Sequence, residues 1–394
     1  MKKPFHSGVV MAVIVLWSMT APAIAGTIDS DLEQRLDSLS PGEKAPVLVF
    51  LTEQLDTRGL KASLQASRSS RAERHRVVVE ALRNLARSTQ PGILRYLWFQ
   101  RLLGRVESCN AFWIANILSV KATPHVVRKL ATRSDVARIA YDHPLKLIDP
   151  IEIRSGPPEA LGVENGIFLT RAPELWDMEI DGTGTLACHL DTGVDGNHPA
   201  FASRWRGLDD GVDPGEAWFD PITGTTSPFD SGSHGTHTMG TIVGRDGDNQ
   251  IGMASAAEWI SAGVIDRGAT GHYAIAAFEW AADPDGDPGT SDDVPDVVSN
   301  SWGFIPDVHG YPECDPLFNA AIDNLEAAGA VVVFAAGNEA WDGLRIPADR
   351  ITTPLNAFAV GALNQDGESI ASFSSRGPSG CDNVTIKPEV TAVG

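Results

Sequence analysis

The stretch LFNAAIDNLEAAGAVVVFAAGN, Leu317 to Asn338, decides the fold class. Its first half spaces Leu317, Ala321, Ile322 and Leu325 as one apolar face of a helix, and Gly329 closes it. The second half, AVVVFAAGN, is an almost wholly apolar strand, as expected where both faces are covered. Just upstream, DVVSNSWG (Asp296–Gly303) reads as another strand. Strand, helix and apolar strand in that order make a right-handed βαβ unit, hence a parallel sheet with helices on both faces. In such sheets chemistry collects at the carboxyl ends of the strands. TLACHLD, a further strand, ends at Asp191, and Asp191, Ser301 and Asn338 all fall at such ends.

Working outward, the region before residue 150 has a different texture. APVLVFL (Ala45–Leu51), NAFWIANILSV (Asn110–Val120) and VARIAY (Val136–Tyr141) read as strands. The Arg-rich region from about Leu60 to Arg105 has helical spacing with an expected break at Pro91-Gly92, and TPHVVRKLAT opens a helix at Thr123-Pro124. These elements predict a small α+β unit over residues 26–150. IRSGPPEALG (Ile153–Gly162) has the composition of a linker, assigned to 151–164, and the α/β unit covers 165–394.

Charge divides at the same place. Residues 26–150 carry a net charge of +6 and residues 151–394 a net charge of −28. Opposite signs favour association of the two parts, and the acidic part is excluded as a nucleic-acid binder. At the N-terminus, Lys2 and Lys3, the apolar GVVMAVIVLW and the small-residue end Ala23-Ile24-Ala25 read as a secretory signal over residues 1–25. Its apolar core is too short for a stable membrane anchor, so a secreted or periplasmic protein is expected. Four cysteines fit that compartment: Cys314 and Cys381, in polar surroundings, are expected to pair, and Cys109 and Cys188 to be buried thiols.

SHGTHTMG (Ser233–Gly240) sets His234 and His237 three residues apart at the opening of a helix. Zinc helices place histidines four apart with a glutamate between, and no third ligand follows here. Read as a general base, His234 needs a carboxylate to hold its tautomer, and Asp191 supplies one. D-T-G at Asp191 and F-D-S-G at Asp230 also imitate an aspartic-protease pair, but the two lie too close in sequence for separate lobes.

HLDTGVDGNHP, HGTHTMGTIVG, SNSWG, FAAGNE and SFSSRGP stand in the order and spacing of the subtilisin-like serine proteases, which residues 165–394 resemble, in detail the bacillopeptidase F type. Residues 45–150 resemble, more weakly, the inhibitory prodomains of such enzymes. The resemblance implies a secreted serine endopeptidase made as a zymogen, acting on proteins or peptides, with its own prodomain as intramolecular inhibitor. It assigns Asp191 as the carboxylate orienting the histidine, His234 as general base and Asn338 as oxyanion donor. Two substrate-clamping strands are implied at Ser301, Trp302 and Gly303 and at Ala335, Ala336 and Gly337, with Trp302 expected to line a pocket. His237 is expected to be a packed or hydrogen-bonded support.

The family's nucleophile sits in a G-T-S-M-A motif that does not occur here. Ser369, Ser372, Ser374, Ser375 and Ser379 follow Asn338, but none opens an apolar helix, and Ser372 onward reads as strand and loop. The chain reads as a fragment, inactive as it stands, that ends in KPEVTAVG with Val393 where proline is usual. The alternative is a non-catalytic binding or adhesive protein that keeps the cleft without the serine. No cofactor is required for the chemistry. DPDGDPGTSDD gathers Asp283, Asp285, Asp287, Asp292 and Asp293 around two glycines and reads either as a Ca2+ loop or as a solvated acidic loop.

Overall fold

The computed structural model describes residues 26–148, 163–352 and 358–394. The expected signal and most of the expected linker lie outside them. Five strands, β1 (Thr27–Ile28), β2 (Ala45–Leu51), β3 (Val106–Phe112), β4 (Ile117–Ala122) and β5 (Val136–Tyr141), form one sheet in the order β1-β5-β2-β4-β3. β2 is apolar at nearly every position because both its faces are covered. Val47, Val49 and Leu51 point into a local core with Leu32, Leu36, Ile93, Leu97, Val126 and Leu130. Leu48 points the other way, into a core shared with the rest of the chain.

Two expectations for this region are corrected. The helix Arg71–Leu102 runs unbroken through Pro91. Proline inside a helix costs about 3 kcal/mol, and burial of Ile93 and Leu97 on the far side of it offsets that cost. Ser70 Oγ accepts from the Glu73 amide and fixes where this helix starts, after a separate helix Thr57–Ala66. NAFWIANILSV is not one strand but two with a turn between: the end of β3 and most of β4 pair antiparallel across Trp113–Asn116, and Asn116 takes a positive φ of 47°.

The remaining strands are β6 (Leu186–Asp191), β7 (Trp218–Phe219), a hairpin of β8 (Arg245–Asp246) and β9 (Asn249–Gln250), then β10 (Glu258–Gly263), β11 (Val297–Asn300), β12 (Val331–Ala335), β13 (Phe358–Leu363) and β14 (Val390–Val393). Seven of them make a wholly parallel sheet in the order β14-β13-β12-β11-β6-β10-β7, the expected α/β architecture. Alternation along β6 serves two cores. Leu186, Cys188 and Leu190 join the helices Gly271–Ala282 and Asn319–Ala328, while Ala187 joins Met239 and Val243 of the helix His234–Val243. The SFSSRGPS segment carries no strand; Ser374 and Ser375 are buried in a loop.

The helix Gly271–Ala282 lies under the five-stranded unit. Glu279 Oε2 accepts the amides of Trp113, at 2.5 Å, and Ile114, at 2.9 Å. Arg138 bridges Asp29 and the fully buried Asp315, and Asp142 accepts from His272 Nδ1 at 2.6 Å. Cys314 and Cys381 form a disulfide. Of the two free thiols, Cys188 is buried and Cys109, on the alternating strand β3, is only half-buried.

Candidate active site

Asp191 ends β6 at the carboxyl edge of the parallel sheet, and His234 opens the helix packed on that strand. His234 Nδ1–H donates to Asp191 Oδ1 at 2.8 Å, and the Thr192 amide donates to the same oxygen at 2.7 Å. Asp191 is fully buried and His234 partly so. Burial alone would raise the Asp191 carboxyl, but the imidazoles of His189 and His234 outweigh it and bring it to about 2. Burial likewise pulls His234 down, and the hydrogen bond and charge of Asp191, with Asp230 and Asp266, carry it above its ordinary value. The ionised carboxylate fixes the proton on Nδ1, which leaves Nε2 as the proton acceptor.

The local sequence folds this way for identifiable reasons. Asp230 is not half of a carboxyl pair but a tether. It accepts from Thr192 Oγ1 at 2.7 Å and Gly232 N at 3.0 Å, and from Thr236 N at 2.9 Å and Thr236 Oγ1 at 2.5 Å in the first turn of the His234 helix. The Gly235 amide returns to Thr192 Oγ1 at 3.0 Å. Gly235 has no alternative, because a Cβ there would overlap the carbonyl oxygen of Gly193.

Sequence reasoning missed His189. Its Nε2 lies 3.3 Å from Asp191 Oδ2 and 2.6 Å from Thr238 Oγ1, wholly buried beneath the pair. A histidine inside an otherwise apolar strand was the available signal. The supporting part expected of His237 is corrected accordingly: His237 is exposed, one turn along on the outer side of the helix.

Asn338 follows β12 at the same edge of the sheet. Its amide donates to Glu339 Oε2 at 2.9 Å, and Glu339 Oε1 is held by Arg345 Nη2 at 2.7 Å, so the backbone of Asn338 is anchored. Ser374 Oγ bonds the Ala362 amide, Ser375 Oγ the Glu339 amide and Ser379 Oγ the Asp349 carbonyl; these three hydroxyls are engaged in structure.

The segment following β5 enters this region as an added strand. The Ile148 amide donates to Ser301 O, the Gly303 amide to Lys146 O, and Leu147 pairs antiparallel with Trp302. On its other side the Leu145 amide donates to Ala269 O at 2.9 Å and the Gly271 amide to His143 O at 3.0 Å. Residues 143–148 are thus held between Ser301–Gly303 on one side and Ala269–Gly271 on the other. Ala335–Gly337, expected as the second strand, does not pair with this segment: Ala336 and Gly337 bond Val360, Arg345 and Ser375. Trp302 contributes backbone rather than a pocket wall, for its ring is fully buried among Phe278, Phe318 and Phe334.

Of the five loop aspartates, the structure gathers Asp283, Asp285 and Asp293. Asp287 instead accepts from the Gly289 amide, and Asp292 pairs with Arg206 at 2.9 Å. Burial raises the Asp283 carboxyl to about 6 against the pull of Arg83 and His75, and Asp285 and Asp293 add to the rise.

The model of the Subtilase family matches residues 182–394, a span that begins just before β6 and includes Asp191, His234 and Asn338. The chain belongs to the subtilase family. It is similar to Bacillopeptidase F of Bacillus subtilis (strain 168), 31% identical over 95% of this chain and 27% of that protein. It is also similar to Subtilisin E of the same organism, 30% identical over 70% of this chain and 62% of the relative. Serine protease AprX, again from Bacillus subtilis (strain 168), is 29% identical over 71% of this chain and 59% of its own length. The chain therefore spans roughly a quarter of Bacillopeptidase F and three-fifths of Subtilisin E. Among the described residues, no helix is long and apolar enough to cross a membrane.

Proposed function

We propose that the protein carrying this chain is a secreted or periplasmic serine endopeptidase, made as a zymogen and acting on protein or peptide substrates. The Asp191–His234 couple at the carboxyl edge of a parallel sheet, beside a backbone cleft that already holds a strand, carries this reading. The printed names of the relatives support it.

In the proposed reaction a serine hydroxyl attacks the substrate carbonyl, and His234 Nε2 takes its proton and later returns it to the leaving amine. Asp191, ionised and buried, stabilises the imidazolium without accepting a proton. The Asn338 side chain donates to the oxygen where negative charge develops. Substrate lies between Ser301–Gly303 and Ala269–Gly271 by main-chain pairing. Residues 143–148 lie in that same place, which supports residues 26–150 as an intramolecular inhibitor. Ser374, Ser375 and Ser379 are engaged elsewhere, and the resemblance to the family assigns the attacking hydroxyl to a G-T-S-type segment.

The test is labelling with a fluorophosphonate of the longest product of the coding sequence. Labelling that disappears in His234→Ala, with Asn338→Leu lowering kcat by roughly 100-fold or more while KM holds, supports the enzyme. A folded product that never labels points to the binding protein instead.

A further inference from the structure

The loop Asp283–Asp293 connects the helix Gly271–Ala282 to the strand β11, away from the Asp191–His234 couple. One carboxylate oxygen each from Asp283, Asp285 and Asp293 lies within 4.8 Å of the others. Hydrogen bonds within the loop occupy both oxygens of Asp285 and one of Asp293. Asp293 Oδ2 accepts from the Asp285 amide at 3.0 Å, and Asp285 accepts from the Asp287 amide at 2.7 Å and Thr290 Oγ1 at 2.6 Å. Asp283 Oδ1 and Asp293 Oδ1 have no hydrogen-bond partner among the described residues, although the two residues are only 5% and 2% exposed. Buried carboxylate oxygens without a donor are costly, and a cation within reach of both would offset that cost.

Among the described residues one cation pairs with the cluster, and it comes from the other unit, as does His75, which also acts on Asp283 and Asp293. Arg83, on the helix Arg71–Leu102, meets Asp283 Oδ2 with Nη2 and donates from Nη1 to the Gly286 carbonyl at 2.8 Å. A single guanidinium at the rim leaves most of the charge of three carboxylates uncompensated. Two Ca–O bonds of about 2.3–2.6 Å span up to about 5 Å, so one ion can reach all three oxygens.

We propose that Asp283, Asp285 and Asp293 bind a hard divalent cation of the Ca2+ class, and that Arg83 partly substitutes for its charge while the N-terminal unit is docked. Asp287 and Asp292 take no part. Because the ion and Arg83 share Asp283, each weakens the other: the cation loosens the N-terminal unit by the same factor by which Arg83 lowers cation affinity. The site stands apart from the peptidase reading, and its test needs no turnover.

Terbium binding to the whole chain, read by tryptophan-sensitised luminescence and reversed by Ca2+, tests this. Saturable binding is expected, weakened at least roughly tenfold in Asp285→Asn and in Asp293→Asn and unchanged in Asp287→Asn. Asp285 is exposed, so its variant remains informative if Asp293→Asn fails to fold. Arg83→Ala should bind Ca2+ several-fold more tightly. No saturable signal in either the native chain or Arg83→Ala, or equal affinity in Asp285→Asn and the native chain, would overturn the site. Equal affinity in Arg83→Ala and the native chain would overturn the part given to Arg83.

Discussion

Glu279 holds the backbone amide of Trp113, 2.5 Å from its Oε2, across the junction between the two sheets. Burial raises this carboxyl to about 7 even though two amides favour its ionised form. Unfolded, it titrates near 4.5, so the folded chain keeps a proton that the unfolded chain loses. Its contribution to stability is complete below pH 4.5 and lost as pH rises through about 7. Glu279→Gln should therefore reduce the loss of stability between pH 5 and pH 8 by up to about 3 kcal/mol, read from urea unfolding at the two pH values.

His234 offers a second pH measurement that needs no substrate. Asp191 raises the imidazole above its ordinary value, so its NMR titration midpoint should lie above 6.5 and move down in Asp191→Asn. A general base must be neutral to act, and kcat/KM of the active enzyme should rise through that same midpoint as pH increases. A midpoint unmoved by Asp191→Asn would contradict the coupling.

Arg138 carries both Asp29 and Asp315, and the Asp315 side chain is fully buried. Removing the guanidinium strands that charge, and Arg138→Ala should cost about 3–5 kcal/mol in chemical unfolding. Adding Asp315→Asn should recover part of the loss, since the stranded charge and not the missing contact dominates.

The Cys314–Cys381 disulfide closes a loop of 67 positions. Chain-entropy arguments value such a closure at about 4 kcal/mol. Thermal unfolding with and without reductant should differ accordingly, and Cys314→Ser should behave as the reduced protein does. Cys109→Ser should leave the difference unchanged.

Where apolar patterning meets a marked end, a segment was legible in the sequence: Leu317–Gly329 as a helix with one apolar face, Val331–Ala335 and Leu186–Asp191 as short apolar strands. The helix Gly271–Ala282 was not, because apolar residues run past its buried face: Ala274, Ala277, Phe278 and Ala281 share that face, while Tyr273, Ala276 and Trp280 add apolar positions elsewhere and blur the period. The Asp191–His234 pair could be read because catalytic chemistry restricts residue type. The strand Ala269–Gly271 could not, since main-chain pairing places no demand on side chains. Pro91 misled for the opposite reason: a strong local preference yielded to the packing of Ile93 and Leu97.

The core that joins Leu48, Val78, Val79, Leu82 and Ile117 to Phe278, Ala281, Phe318 and Ile322 has no seam at the charge boundary. A single peptide-bond cut between residues 151 and 164 would not by itself release two particles. The nicked material should still sediment as one species and fall apart into two fragments only in denaturant, so departure of the first piece needs a further event that breaks it down or pries it off.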